Sequence, residues 1–270
     1  MTNLSGKVAV VIGAAGAGNM GQHIARALAD AGAKVVVAGR KADELKRFAG
    51  AIAGDWALCD LSRKADVEAL AATVIDRHGK VDIAINATGW GLLKSLHDIT
   101  EEELDQIIAL QFKGVHYFLS AFVRAMPHGG SLVQISSATT QCIIDDHAAY
   151  IATKSASEAL IRCVANQYGS QGIRANVLSP GFTDSPMTEA AFAVPGLVDA
   201  FIKEYPLGRV GTSEDIAKAA LWVVSDDCFM SGQNLQINGG LTLRRNPRPG
   251  EIGAAIGAAM AAQAEAANAG

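Results

Sequence analysis

Short, mostly apolar runs alternate with longer amphipathic stretches through most of this chain. Residues 8–12, 34–38, 56–59, 81–86, 132–135, 174–178 and 234–237 predict strands. Between them, residues 19–31, 41–51, 63–78, 101–126, 149–167 and 213–224 predict helices. Gly32 and Gly79 end the first and third helices, and Pro127 with Gly129-Gly130 ends the long one at 101–126. Strands buried on both faces are apolar throughout rather than alternating. Their regular exchange with helices predicts an α/β fold with a parallel, doubly wound sheet. The pattern runs as a single domain over residues 1–243, without a linker or an internal repeat. Beyond it the character changes. Arg244-Arg-Asn-Pro-Arg-Pro249 is a basic, proline-broken connector, and residues 251–268 are Ala-rich. Ile252, Ile256 and Met260 make one thin apolar stripe there. The tail 244–270 is therefore helical or disordered, and if helical it docks on its own or a neighbouring subunit.

Composition narrows the function classes. Of 270 residues, half are apolar, and the formal net charge is −4. Neither nucleic acid nor an anionic membrane is an expected partner of such a chain. The six His are scattered, and the four Cys form no C-x-x-C pair, so no metal site is expected. The first residues lack a signal-peptide layout, and no apolar run reaches membrane-spanning length, which predicts a cytoplasmic protein.

Two segments carry candidate chemistry. The first, Gly13-Ala-Ala-Gly-Ala-Gly-Asn-Met-Gly21, follows the first strand and opens a helix. Amides at a helix start bind phosphate, and glycine lets the phosphate approach. Gly13, Gly18, Met20 and Gly21 are the expected contacts of a dinucleotide. Arg40 ends the second strand, where such a fold faces the adenosine ribose. No acid stands there until Asp43, so a 2′-phosphate is favoured over a free 2′-hydroxyl, which selects NADP(H) over NAD(H). Asp60 and Leu61, after the third strand, fall on the adenine side.

In the second segment, Tyr150-Ile-Ala-Thr-Lys154 places a phenol and an ammonium at i and i+4 of a predicted helix, on one face. An ammonium beside a phenol lowers its pKa, and such a tyrosine protonates a developing alkoxide or deprotonates an alcohol. Ser137, thirteen residues upstream, supplies a hydroxyl for the same oxygen.

Taken together the chain resembles the short-chain dehydrogenase/reductase family over about residues 5–243. Asn86-Ala-Thr-Gly89, Ile135-Ser-Ser137, Tyr150 to Lys154, Asn176 to Gly181, Pro206 to Gly211 and Ser231 to Gly240 carry the resemblance. It implies a Rossmann-type sheet of about seven strands and a homotetramer or homodimer. By this resemblance Tyr150 is the acid/base, Lys154 binds the nicotinamide ribose, and Ser137 orients the substrate oxygen. Pro180, Gly181 and Thr183 surround the nicotinamide, while Asn86, Ala87 and Gly89 line the adenosine ribose side. Three departures stand out. The glycine loop spans eight steps from Gly13 to Gly21 where six is usual, Ala87 replaces a common second Asn, and Gln111 replaces the helix Asn that holds a relay water. Gln111 either keeps that catalytic function in shifted form or is a helix residue tied to the backbone.

Three stretches wall the expected substrate site: residues 90–93, 139–147 and a lid over 182–205. Trp90, Ile143, Phe182 and Met187 make it largely apolar, and His147 adds a polar group. The expected activity is interconversion of a ketone and a secondary alcohol on a ring or acyl substrate, dependent on NADP(H). Alternatives are an NAD(H)-dependent alcohol dehydrogenase, a 3-oxoacyl reductase, and an NADP-binding redox sensor without turnover.

Overall fold

The structure, a computed structural model, describes residues 2–268. Seven strands form one parallel sheet: β1 (Val8–Ile12), β2 (Lys34–Gly39), β3 (Asp55–Leu58), β4 (Ile83–Asn86), β5 (Gly130–Ile135), β6 (Ile173–Pro180) and, last in the chain, β9 (Asn234–Ile237). Their spatial order is β3-β2-β1-β4-β5-β6-β9, the doubly wound arrangement that the alternation predicts. Two further strands of two residues each, β7 (Thr183–Asp184) and β8 (Gly211–Thr212), pair outside the sheet.

The helices α1 (Met20–Asp30), α2 (Ala42–Ala51) and α9 (Ser213–Val224) cover one face. The helices α3 (Lys64–His78), α5 (Gly114–Ala125) and α6 (Ala148–Tyr168) cover the other. Along β1, Val8, Val10 and Ile12 enter one core and Ala9 and Val11 the other, which is why the strand carries no polar residue. Local sequence sets several helix starts. Asn19 caps α1 by accepting from the Gln22 amide at 3.0 Å. A reciprocal capping box, Thr212 with Asp215, opens α9.

The expected helix over 101–126 is interrupted. It divides into α4 (Glu101–Ile108), a π-helical turn at Ala109–Lys113, and α5. That single wide turn disturbs apolar periodicity too little to be read from sequence, and it rotates Gln111 into the interior. Gly114 follows at a close crossing, where a Cβ would lie 2.8 Å from the Leu61 carbonyl oxygen.

The segment expected as a lid carries two short helices, α7 (Glu189–Phe192) and α8 (Leu197–Ile202). The tail is a helix, α10 (Pro249–Asn268), whose first turns pack on α8 while residues 261–267 are exposed. Among the described residues, no helix is long and apolar enough to cross a membrane, and no group of three His, Cys, Asp or Glu is placed to hold a metal.

Candidate active site

The sheet order reverses between β1 and β4, and a crevice opens at the C-terminal ends of these strands. Gly13 and Ala87 meet there so closely that a Cβ on Gly13 would lie 2.8 Å from the Ala87 carbonyl carbon. The long glycine loop beyond Gly13 is stapled by two side-chain amides. Asn19 Nδ2 donates to the Gly13 carbonyl at 2.8 Å. Gln22 Nε2 donates to the Ala14 carbonyl, and its Oε1 accepts from the Gly18 amide at 3.0 Å. Among the described residues the amides of Met20 and Gly21, the first two of α1, have no acceptor within the chain. A helix start with free amides, reached through a glycine-lined crevice, fits the pyrophosphate of a dinucleotide.

At the far end of the crevice Arg40 and Lys41 are exposed, and among the described residues neither forms an ion pair. Glu44, an acid within reach of the loop, is held by Arg47 in two hydrogen bonds of 2.6 and 2.9 Å and by Gln22 at 2.6 Å. The Arg47 and Gln22 hydrogen bonds bring its carboxyl down to about 2. Asp60 folds back on Ser62, accepting from its amide and its hydroxyl. Leu61 is buried beside Gly114.

From β4, Asn86 is fully buried; its Nδ2 donates to Gln134 at 2.8 Å and its Oδ1 accepts from Thr88. Gly89 stands in front of Lys154: a Cβ there would lie 3.4 Å from Lys154 Nζ and 3.3 Å from Gln111 Oε1. The absent side chain leaves the ammonium approachable from the crevice. Lys154 itself is only 3% exposed and donates to the carbonyls of Ile135 at 2.8 Å and Thr88 at 3.4 Å. Burial pulls its pKa down to about 8, against the opposing charge of Glu158.

Tyr150 sits one turn earlier on α6, with Ser137 on the side of its phenol. Ser137 also accepts from the amide and the hydroxyl of Thr139. Here the structure corrects a sequence expectation. Burial pushes the Tyr150 phenol above its usual value, and the Ser137 hydrogen bond is what opposes the rise. The lysine lies over the ring face, with Nζ 5.7 Å from the centroid, and its own charge is weakened by the burial both share. Proximity at i and i+4 is present; the expected lowering of the phenol is not.

Gln111 is fixed on both sides. Its Oε1 accepts from the Trp90 amide at 3.0 Å, and its Nε2 donates to Thr153 Oγ1 at 2.8 Å. That shared partner ties the loop after β4 to α6, where Trp90 packs in one cluster with Leu92, Ile107 and Tyr150. His147 meets Tyr150 edge to face at 5.9 Å, and its Nδ1 lies 2.9 Å from the Asp145 carbonyl.

On the other side of the crevice, Pro180 closes β6 and Gly181 begins the turn to Thr183, whose hydroxyl donates to the Gly181 carbonyl at 2.9 Å. Tyr205 holds this turn: its hydroxyl accepts from the Phe182 amide at 2.6 Å, and it fills the space that a Cβ on Gly181 would need. Phe182 is stacked between Phe192 and Phe201, with centroids 5.1 and 4.5 Å away. Met187 reaches across to Gly91, so lid and β4 loop meet, but it remains 62% exposed. Ile143 is 73% exposed and stands apart from these side chains' packing. Asn19, Gln22, Gln134 and Tyr205 went unrecognised in the sequence. Polar residues in helix and strand patterns are the only signal they give, and it does not name their partners.

A family profile described as enoyl-(acyl carrier protein) reductase matches residues 13–242. An NAD-dependent glycerol dehydrogenase of Listeria innocua is 32% identical over 249 residues, covering 90% of this chain and 96% of its own. A short-chain type dehydrogenase/reductase from Mycobacterium ulcerans superposes with a TM-score of 0.87 at 26% identity, covering 91% of this chain and 93% of its own. A gluconate 5-dehydrogenase from Burkholderia cenocepacia, in complex with NADP and tartrate, superposes with a TM-score of 0.84 at 28% identity, covering 90% of this chain and 97% of its own.

Proposed function

This chain belongs to the short-chain dehydrogenase/reductase family, and from that premise we propose that it is an NADP(H)-dependent oxidoreductase interconverting a ketone and a secondary alcohol, with Tyr150 as acid/base. The observation that carries this reading is the grouping of Ser137, Tyr150 and Lys154 beside the Gly13–Ala87 crevice. A nicotinamide cofactor bound in that crevice supplies the hydride in reduction and takes it in oxidation. The chain's own part is the proton and the position. In reduction Tyr150 Oη gives its proton to the carbonyl oxygen, and in oxidation it takes the proton of the alcohol. Ser137 holds the same oxygen. Lys154 faces the gap left by Gly89, where its ammonium would hold the ribose hydroxyls of a bound cofactor.

Arg40 and Lys41 support the preference for NADP(H), since both are exposed at the ribose end, neither forms an ion pair among the described residues, and the neighbouring acid Glu44 is held by Arg47. Relatives that use either cofactor exist, so the choice rests on these side chains. The stacked Phe182, Phe192 and Phe201 with Trp90 favour a substrate with a ring or acyl body over a bare polyol. A homotetramer or homodimer belongs to the same reading, with the groove between α5 and α6, lined by Leu119, Val123, Leu160 and Cys163, as the contact face.

Cofactor titration followed by quenching of tryptophan fluorescence tests the assignment. NADPH is expected to bind at least tenfold tighter than NADH. Arg40→Ala should erase that difference by weakening NADPH alone. Equal affinity in the parent protein, or an equal loss for both cofactors in the variant, would remove Arg40 as the phosphate reader.

A further inference from the structure

The two stretches that wall the substrate side, the loop after Ser137 and the lid, are both fastened by the same short piece of chain beyond the family's pattern. Asn246 is buried, at 7% exposure, and its Nδ2 donates to the carbonyl of Cys142, five residues after Ser137. Cys142 Sγ in turn approaches the Arg244 carbonyl at 3.9 Å. On the lid side, Arg244 Nη1 donates to the Lys203 carbonyl at 2.9 Å, just past α8. Arg245 forms a bidentate pair with Glu251, both hydrogen bonds 2.7 Å, and extends to Glu204 at 3.8 Å. Glu251 also accepts from the Arg248 amide, which fixes the first turn of α10. From that turn Ile252 enters the cluster of Ala138, Cys142, Phe201, Tyr205 and Leu241, against which Phe182 also packs. Gly196, at φ +76°, starts α8 where α10 crosses it, and a Cβ there would lie 3.0 Å from Ala259 Cβ.

We propose that residues 244–252 form the third wall of the substrate site, with Asn246 the positioning residue that ties the Ser137–Tyr150 loop to the lid. The inference rests on the reading above that this side of the crevice receives the carbonyl substrate. It adds that the tail sets how firmly that substrate is held. The expected pyrophosphate and adenosine ribose sites lie at β1, β2 and β4, away from the contacts just named, and only the Gly181–Thr183 turn shares the tail's cluster through Tyr205, so NADPH affinity is expected to be kept when the tail is loosened. The serine loop and the lid already meet in the apolar cluster of Ala138, Cys142, Phe201 and Tyr205; this segment adds Ile252 to that cluster and a polar bridge across it, so removing either weakens the hold on both walls.

Two variants of the full protein test this. Asn246→Ala removes the Cys142 contact, and a chain stopped after Arg248 removes Glu251, Ile252 and α10 while keeping Asn246. For the best ketone found with the parent protein, KM is expected to rise at least fivefold in each variant, with kcat within twofold and NADPH affinity unchanged. Trypsin should cut after the exposed Lys203 at least tenfold faster in both, a readout that needs no turnover. Unchanged KM and unchanged cleavage would overturn the proposal, as would an equal fall in NADPH affinity, which marks a general loss of folding. If the parent protein reduces no ketone, the functional reading fails separately, and faster cleavage at Lys203 still distinguishes a latch from a loose tail.

Discussion

Tyr150 and Lys154 share a burial that moves their pKa values in opposite directions, the phenol up and the ammonium down to about 8. For the lysine this has a consequence for stability. The unfolded chain holds its proton up to about 10.4, so between roughly pH 8 and 10 it binds more protons at this site than the folded protein does. The contribution of Lys154 to stability therefore rises with pH through that window. Urea unfolding of the parent protein and of Lys154→Met should show the parent gaining on the variant by about 1–2 kcal/mol from about pH 7.5 to 9.5. A constant gap across that range would mean that the ammonium is solvated. Tyr, Lys and Ser were legible in the sequence because their spacing on a helix and a strand end fixes their proximity. The sign of the tyrosine shift was not legible, because it depends on which wins between a neighbouring charge and a shared loss of water. Gln111 shows the same limit: sequence left its amide with two alternatives, and the engagement with Trp90 and Thr153 depends on a π-helical turn that apolar periodicity does not register.

Among the elements, the glycine loop is where sequence left most open. Its extra length is taken up by Asn19 and Gln22, which fold their amides back onto the loop's own backbone. Its glycines are therefore not equivalent. Gly13 has φ +101° and no room for a Cβ against Ala87, whereas Gly18 has φ +65° and nothing within 4 Å. Gly18→Ala should cost only the left-handed backbone penalty, about 1–2 kcal/mol, and keep its thermal shift on NADPH addition. Gly13→Ala should forfeit that shift, because the crevice between β1 and β4 must widen to admit the methyl group. A preserved NADPH shift in Gly13→Ala would show that the crevice is not the binding site. The strands and long helices were readable because strands buried on both faces are mostly apolar without alternation, which leaves little ambiguity of period. The segment 182–205 was marked out but its elements were not, because α7 and α8 are too short to show a helical period and two-residue β7 and β8 have none at all.

Across the whole molecule, the reversal of strand order between β1 and β4 creates the crevice, and the helix-covered sheet holds its rim rigid. On the reading proposed above, the substrate side is different in kind: a serine loop, a segment of short helices and the tail beyond residue 243 would wall it. The thin stripe of Ile252, Ile256 and Met260 predicted a docking face for that tail. In the structure only its first member is packed in the lid cluster, while Met260 is 58% exposed. What sequence did not reveal is the polar clasp of Arg244, Arg245 and Asn246, since a basic proline-broken connector reads as a solvated linker until its partners are placed. The proposed cofactor side and the proposed substrate side would then meet at Tyr150. Its most direct test is the rate of NADPH oxidation with a panel of cyclic and acyl ketones, comparing the parent protein with Tyr150→Phe at saturating cofactor. The account predicts turnover in the parent, a fall of at least about 10²-fold in kcat for the variant, and unchanged NADPH affinity. A variant that reduces the same ketone at a near-parental rate would contradict it.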